Sequence, residues 1–442
     1  MQSKTSSASG ISMSDDADRS SLQISQSARV AILAVAFLGW FFGGVQIGMT
    51  NLMRPAAVAL LAEAGWTAGI GEVARNEMAA RMFAYFQCAF LFGAAAGGLI
   101  FGKLGDRVGR TRALGISILW FSIFTALGYF AHGPVQLLAI RFLACLGVGG
   151  CWPNGVALVS EAWSNIARPV MASLIGMAGN LGIFAFATLM AKFPATPDSF
   201  RWVFFVGAAA APLGVIILLF TKESPAWLAA RQQNHQGGGR ESAPAPSVFR
   251  KPYLGVTLVG IALATVPLFG GWGSFSWILV WAGEIGTPEL KAHILQTRSV
   301  TSIVGSALAA VIALQIGRRT SYFVAALAAL LVSQYIFWFT APTDGGFLIW
   351  VALWGFFNGI FFGWLPFFLP ELFETRVRAT GAGVSFNFGR ILTAATIFLT
   401  PTLKAVFDGN HAHVGRVTSL VFLLGMIAIL FAPDTSKRNM EE

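Results

Sequence analysis

A glycine-rich basic segment, Gly102-Lys103-Leu104-Gly105-Asp106-Arg107-Val108-Gly109-Arg110-Thr111-Arg112, lies between two long apolar stretches. Its glycines allow a tight turn between two helices. Its arginines can pair with carboxylates of a neighbouring segment. One acid and three arginines in such a turn are typical of ion pairs that form and break. The segment therefore predicts a gating turn between two membrane helices.

Twelve apolar stretches follow one another along the chain. The composition is 55% hydrophobic and 11% charged, with a mean hydropathy of +0.67, whereas soluble domains carry about 25% charged residues. A bilayer core needs about 20 apolar residues per helix. Runs of this length exclude the alternating strands of a barrel. The sequence therefore predicts an all-α membrane protein with twelve transmembrane helices, the first at 29–58 and the eighth at 296–315.

The longest polar stretch between the predicted spans covers residues 222–252 and is rich in Gln, Gly and Pro, which is the composition of a linker. It divides the spans into two groups of six. The predicted organisation is a disordered cytoplasmic tail at 1–28, an N-terminal six-helix bundle at 29–221, a cytoplasmic linker at 222–252, a C-terminal six-helix bundle at 253–433 and a cytoplasmic tail at 434–442.

Short motifs recur in the two groups of spans. Glu161 and Arg168 lie seven residues apart, and Glu371 and Arg378 repeat that spacing. The pair Gly109-Arg110 recurs as Gly317-Arg318, and the separation between these two copies is similar to that between the two Glu-Arg pairs. Such internal similarity predicts duplicated halves with a solute site near the bilayer midplane, where the halves meet.

The net charge of +10 is distributed unevenly. Most Lys and Arg residues fall on the side of the predicted membrane that also holds both tails, so both termini are expected to be cytoplasmic. The basic excess is topological, and no nucleic-acid partner is expected. The expected partners are membrane lipid and a small-molecule solute. Both halves lie in one chain, which predicts a monomer, and the compact loops favour a multi-pass protein of a bacterial inner membrane.

The Gly102–Arg112 segment closely resembles the signature loop of the major facilitator superfamily. Three further segments are similar to motifs of its metabolite:proton symporter, sugar porter and organic ion transporter branches. They are Arg141-Phe142-Leu143 with Gly147-Val148-Gly149-Gly150, Glu223-Ser224-Pro225-Ala226-Trp227-Leu228, and Pro370-Glu371-Leu372-Phe373-Glu374-Thr375-Arg376-Val377-Arg378-Ala379-Thr380-Gly381. The resemblance extends from Phe37 to Arg390. It implies two six-helix bundles that work by alternating access, and it implies no particular solute.

Two segments depart from the pattern of these relatives. Phe42-Gly43-Gly44-Val45-Gln46 lacks the acids that relatives often carry in the first helix, and Gly149-Gly150-Cys151 lacks a glutamate. No Asp, Glu or His lies well inside a predicted span, although a proton relay normally needs such a group. Proton coupling is therefore open, beside uniport, exchange, and coupling through a glutamate at a helix end.

Candidate site residues fall into two sets. Charged and glycine residues at the turns on one face are the predicted gate: Gly102, Asp106, Arg107, Gly109, Arg110, Glu161, Arg168, Arg318, Glu371 and Arg378. Polar residues within or at the ends of spans are the predicted substrate-binding set: Gln46, Thr50, Arg54, Arg141, Asn358, Asn387 and Arg390. Gln46, Thr50 and Arg54 recur at helical spacing on one face. Charges inside a span normally face a partner or a water-filled cavity.

We expect a secondary active or facilitative transporter of a small polar organic solute. An organic anion or a sugar-like metabolite is favoured, because Arg54, Arg141 and Arg390 have no acid in the middle of a span to pair with. No catalytic residue, metal or cofactor is expected, because Cys88, Cys145 and Cys151 have no metal-site spacing. The alternatives are a transporter-like receptor or sensor without flux, and a membrane-embedded enzyme. The lack of acids and histidines inside the spans disfavours the enzyme.

Overall fold

The computed structural model describes residues 25–51, 53–163, 167–236, 247–285, 288–407 and 410–435. These residues form helices joined by short loops, and no strand occurs among them. Ten of the described helices are long and apolar enough to cross a membrane by length and composition. Large apolar side chains such as Phe220, Phe339 and Phe431 lie exposed on the outside of the fold, as a lipid-facing surface requires. The all-α prediction is confirmed.

Six membrane helices form the N-terminal half. They are α1 (Gln26–Asn51), α2 (Glu72–Val108), α3 (Arg110–Leu127), α4 (Pro134–Ala162), α5 (Arg168–Lys192) and α6 (Phe200–Phe220). The prediction of one continuous first helix over 29–58 is wrong, because a separate helix, Arg54–Glu63, follows α1. Pro55 occupies its first turn, where proline's missing N–H and fixed φ are favourable.

The C-terminal half begins with an interrupted helix. Its elements are α7 (Leu254–Phe269, a π-helical turn at Gly270–Ser274, then Phe275–Ile285), α8 (Pro288–Ile316), α9 (Arg318–Phe339), α10 (Phe347–Glu371), α11 (Arg378–Val406) and α12 (His411–Phe431). Pro267 and the glycines of the π-helical turn weaken the regular hydrogen-bond pattern of α7. Helix Pro225–Gln236 lies within the predicted linker. Residues 1–24, 237–246 and 436–442 of the predicted tails and linker lie outside the described residues.

The two halves meet mainly through α2 with α11 and through α5 with α8 and α10. Glycines allow the closest approaches. A Cβ atom at Gly176 of α5 would stand 1.8 Å from the carbonyl oxygen of Phe362 in α10, and one at Gly98 of α2 would stand 2.9 Å from the carbonyl oxygen of Gly383 in α11. Small residues let helix backbones pack closely in a membrane. The seam between the halves is therefore tight along these helices.

The repeated Gly-Arg motifs adopt matching structures. Gly109 has a φ of +112° and Gly317 a φ of +90°, which side chains other than glycine rarely adopt. Each glycine precedes an arginine that begins a helix. That arginine pairs with a glutamate near the end of the following helix. Arg110 lies 3.2 Å from Glu161, and Arg318 lies 3.5 Å from Glu371. The two halves thus share one local design at this face of the membrane, called the gate face below.

Candidate functional site

Asp106, near the end of α2, binds the start of α11 in the other half. Its carboxylate accepts hydrogen bonds from the backbone N–H groups of Ala379 at 3.2 Å and Thr380 at 2.9 Å, and from the Thr380 hydroxyl. The first N–H groups of a helix have no partner within the helix, and this end of the helix dipole attracts an anion. Gly102, one turn earlier, lets α2 approach, because a Cβ there would stand 2.9 Å from the Ala379 carbonyl.

Two buried arginines share one glutamate at the gate face. Arg110 Nε lies 3.2 Å from a Glu161 oxygen, and Arg378 Nη1, from the other half, lies 2.9 Å from the second oxygen. Arg110 also pairs with Asp106 at 3.1 Å and donates to the backbone carbonyl of Gly105. The side chains of Arg110 and Glu161 are fully buried. Removing one partner of such a network leaves an uncompensated buried charge, which is strongly destabilising.

The second glutamate of the repeat, Glu371, has its own partners. Besides Arg318, it accepts a hydrogen bond from the Thr435 hydroxyl at 2.5 Å and interacts electrostatically with Arg168 at the start of α5. The two repeated spacings therefore place Arg378 beside Glu161, and Arg168 near Glu371, across the seam. Arg107 differs from the other predicted gating residues: it is exposed and makes no ion pair within the described part of the chain.

The segment after α6 also contacts the gate. Glu223 accepts from the backbone N–H of Thr111 at 3.0 Å, the Ser224 hydroxyl donates to Glu161, and Trp227 Nε1 donates to the Asp106 carbonyl oxygen at 3.0 Å. Gly109 faces the same glutamate, since a Cβ there would stand 2.2 Å from Glu223 Oε2. The sequence identifies the Glu223–Leu228 motif by its resemblance, but it predicts none of these contacts. The hydrophobic periodicity of the sequence could not have indicated these contacts.

The buried arginine of α4 is held by side chains of α1. Arg141 Nη1 donates to Gln46 Oε1 at 2.9 Å, and Nη2 donates to Thr50 Oγ1 at 2.8 Å. Gln46 in turn donates to the Gly207 carbonyl oxygen of α6 at 2.9 Å. All three polar side chains are fully buried. Arg54, which the same predicted face included, belongs to the next helix, is exposed, and interacts electrostatically with Lys291.

Arg390 of α11 lies at the seam between the halves and contacts two aromatic rings. Its guanidinium carbon is 5.0 Å from the centroid of Phe90 on α2 and 5.4 Å from that of Phe386. Its Nε and Nη1 atoms are buried and have no hydrogen-bond partner among the described residues. Cation–π contacts stabilise a guanidinium through its face. They leave its in-plane N–H groups available to an acceptor.

The two predicted asparagines have different surroundings. Asn387 donates to the Gly149 carbonyl oxygen of α4 at 3.2 Å and to the Gly383 carbonyl oxygen at 3.0 Å, so it bridges the halves. Asn358 of α10 is fully buried, and neither atom of its amide has a partner in the part of the chain that the structure describes. An unsatisfied buried amide costs about 1–3 kcal/mol. Asn358 is therefore the more available of the two.

A further arginine, Arg298 of α8, was not predicted as a site residue. Its guanidinium carbon lies 4.8 Å from the centroid of Phe275 and 5.7 Å from that of Trp354, and these rings stack at 4.6 Å. The predicted eighth span began at residue 296 and left Arg298 at its outer edge. Helix α8 begins at Pro288 instead, so Arg298 lies well inside the helix. Because the residues before Arg298 are charged and polar, the hydropathy of the sequence did not indicate that the helix begins earlier.

Two six-helix halves joined by ion pairs on one face are the architecture of a transporter that works by alternating access. The sequence pattern of the Major Facilitator Superfamily matches residues 36–397, and the chain belongs to this family. It is therefore a membrane transporter, and the alternative of a membrane-embedded enzyme is wrong.

Named relatives and solved structures agree with this assignment. The chain is 27% identical to a cis,cis-muconate transport protein of Acinetobacter baylyi, over 78% of this chain and 83% of the relative. It is 25% identical to a niacin transporter of the same organism, over 93% of this chain and 95% of the relative. The solved structure of a proton:xylose symporter with 6-bromo-6-deoxy-D-glucose bound matches with a TM-score of 0.72 at 18% identity, over 94% and 98% of the two chains. That likeness concerns the fold.

Proposed function

We propose that this protein carries a small organic anion with a carboxylate group across a bacterial inner membrane, and that Arg390 binds that carboxylate between the two halves. The observation that carries the proposal is the pair of buried, unpartnered N–H atoms of Arg390. A buried cation normally has an anionic partner. Here two aromatic rings hold the guanidinium, and a carboxylate from the solute would satisfy its N–H groups by charge-assisted hydrogen bonds.

The names of two relatives support an anion. Muconate and niacin, which name them, both carry carboxylates. Arg54 and Lys291 add positive charge at the face opposite the gate, where it would attract anions from solution.

We assign Arg141 a positioning role. Its donors Nη1 and Nη2 are already bonded to Gln46 and Thr50, and Gln46 links them to α6. This network ties three helices of one half together. A rigid half is what a rocking mechanism needs, because the solute site must move with its helices.

We infer that the gate face is cytoplasmic, because Lys and Arg are concentrated on the side of the membrane that is expected to hold both termini. The ion pairs of Asp106, Glu161 and Glu371 then close the cytoplasmic side, and the solute enters from the opposite side. Opening must break the contacts that join the halves while those within each half persist. Both halves lie in one chain, so a monomer surrounded by lipid is sufficient for this cycle.

Uptake into proteoliposomes tests the proposed function with matched solutes. Nicotinate is compared with the neutral, equally shaped nicotinamide, and cis,cis-muconate with its dimethyl ester. We expect accumulation or counterflow of the carboxylates alone. Equal transport of the neutral analogues would refute the anion proposal. Specific binding without counterflow would indicate the receptor or sensor alternative. An imposed pH gradient that drives accumulation would establish proton coupling, and no response would favour uniport or exchange.

The residue assignment is tested with Arg390→Gln and Arg390→Lys. We expect Arg390→Gln to lower carboxylate uptake by about 10- to 100-fold, since a charged hydrogen bond is worth about 1.5–3 kcal/mol. Arg390→Lys keeps the charge but loses the two-pronged geometry, so it should retain part of the activity. Arg112→Gln is the control, because Arg112 is exposed on the gate face. If Arg390→Gln transports carboxylates like the control, Arg390 does not bind the solute.

A further inference from the structure

We propose that Arg298, Asn358 and the bare backbone at Gly271 form a second carboxylate-binding subsite, built entirely within the C-terminal half. The inference rests on the proposed transport of an organic anion and adds a place that Arg390 does not occupy. Three helices contribute to it: α8 provides the cation, α10 the amide, and the π-helical turn of α7 the open space.

The two polar side chains face one point beside α7. A Cβ atom added at Gly271 would stand 3.6 Å from Arg298 Nη2 and 4.0 Å from Asn358 Nδ2. Both nitrogens are donors. The missing side chain of glycine therefore leaves room for an acceptor that both donors can reach. A carboxylate fits this arrangement, because one oxygen can accept from the guanidinium and the other from the amide.

Neither polar group is satisfied by the protein. Both amide atoms of Asn358 and the Nε atom of Arg298 are buried without a hydrogen-bond partner in the described ranges. The stacked rings of Phe275 and Trp354 lie under the guanidinium. They compensate part of the cost of burying the charge without using its N–H groups. Arg390 likewise lies within cation–π distance of two rings.

The subsite is rigid on its α8–α10 side. Ser302 Oγ donates to the Gly355 carbonyl oxygen and Ser306 Oγ to the Gly359 carbonyl oxygen, each at 2.8 Å. A Cβ at Gly355 would stand 3.0 Å from the Cα atom of Arg298, so these backbones are in close contact. Arg298 and Asn358 are thereby held in place before a ligand arrives, which lowers the entropic cost of binding.

The amide adds selectivity to charge. Asn358 offers an acceptor oxygen as well as its two donors. After one donor has bound the carboxylate, its oxygen can accept from a hydroxyl or N–H group on the same solute. The subsite therefore accommodates a hydroxyl or N–H group beside the carboxylate, but it does not require one.

Gly271→Ala tests the subsite with little disturbance of the fold. The new methyl group would meet Arg298 and Asn358 at ordinary contact distances, so it fills the open space without a clash. Gly255→Ala is the matched control: it is also a helical glycine of α7, and nothing lies within 4 Å of its added Cβ. Both variants are purified at full length, and the dissociation constant for nicotinate is measured by isothermal titration calorimetry.

We expect Gly271→Ala to weaken nicotinate binding by about fivefold or more, with its thermal midpoint at or above that of the wild type. Gly255→Ala should bind like the wild type. Arg298→Gln should weaken binding by about 10- to 100-fold, as expected for the loss of a charged hydrogen bond. If Gly271→Ala and Gly255→Ala bind equally well, the subsite does not exist as described, even where Arg298→Gln fails to fold. If the wild type binds no carboxylate, the proposed function itself falls.

Discussion

Asp106→Asn tests the proposed gate separately from the solute site, because the contacts of Asp106 join the two halves at the gate face. The variant keeps the size of the side chain and removes its charge. The carboxylate now accepts two backbone N–H bonds and one hydroxyl bond at the start of α11. An amide has one acceptor oxygen, so at least one donor of α11 loses its partner, and the attraction to the helix end is lost.

The size of the effect follows from those contacts. A hydrogen bond to a charged group contributes about 1.5–3 kcal/mol, and an anion at a helix N-terminus about 0.3–1 kcal/mol. The closed gate should therefore lose about 2–4 kcal/mol relative to the open gate. At 1.4 kcal/mol per factor of ten, the closed-to-open ratio falls by about 30- to 700-fold. A gate that is about 99% closed would then become about 20–90% open.

Pulsed electron paramagnetic resonance measures this ratio directly. Spin labels at Arg112→Cys and Arg376→Cys, both exposed and on opposite halves, report the width of the gate face when the three native cysteines are replaced. We expect one short distance in the parent and a second, longer population in Asp106→Asn. Asp344→Asn is the control, since this exposed aspartate also accepts a backbone N–H but lies within one half. Unchanged distances in Asp106→Asn would refute the role of Asp106 as a bond across the gate.

Two further predictions concern stability. Gly109→Ala should lower the thermal midpoint, because Gly109 has a positive φ and its Cβ would clash with Glu223, at a cost of about 1–3 kcal/mol. Gly133→Ala, at an extended φ of −150° with open space around it, should leave the midpoint unchanged, and equal midpoints would contradict the argument. Arg141→Gln should leave the Gln46 oxygen unpaired at a cost of about 1–3 kcal/mol, so the thermal midpoint should fall. The preference for a carboxylate over a neutral solute should persist. A selective loss of carboxylate uptake would instead place Arg141 in the solute site.

Much of the fold was predictable because the bilayer imposes one repeated requirement. Long apolar runs gave the helices, and the repeated spacings of Glu161 with Arg168 and Glu371 with Arg378 identified residues that the structure places at the same gate. These positions interact through helix ends, which the sequence marks by glycine and charge. The break after α1 was missed, although Pro55 was a local signal for it.

The interior site was harder to predict, because its contacts join distant parts of the chain. The sequence around Arg141 does not show that Gln46 and Thr50 accept its hydrogen bonds. Nor does the sequence around Arg390 show that its guanidinium contacts aromatic rings instead. Arg298 was assigned to the outer edge of its span because the first turns of α8 are polar. The contact of Thr435 with Glu371 also joins segments far apart in sequence, and neither residue type predicts the other.

Four buried or partly buried arginines fall into two kinds, and the difference bears on how the protein turns over. Arg110 and Arg378 at the gate have a glutamate from the protein, whereas Arg298 and Arg390 in the interior have aromatic rings. A solute carboxylate would supply the interior arginines with an anionic partner. A ligand shifts a conformational equilibrium only as far as its affinities for the two states differ. Arg390 lies between the halves, with Phe90 on one side and Phe386 on the other, so its contact with the solute changes when the halves move. Arg298 and its partners lie within one half, so their contact with the solute should persist through the movement. On this reasoning Arg390 couples binding to the conformational change, while the Arg298 subsite retains the solute during it.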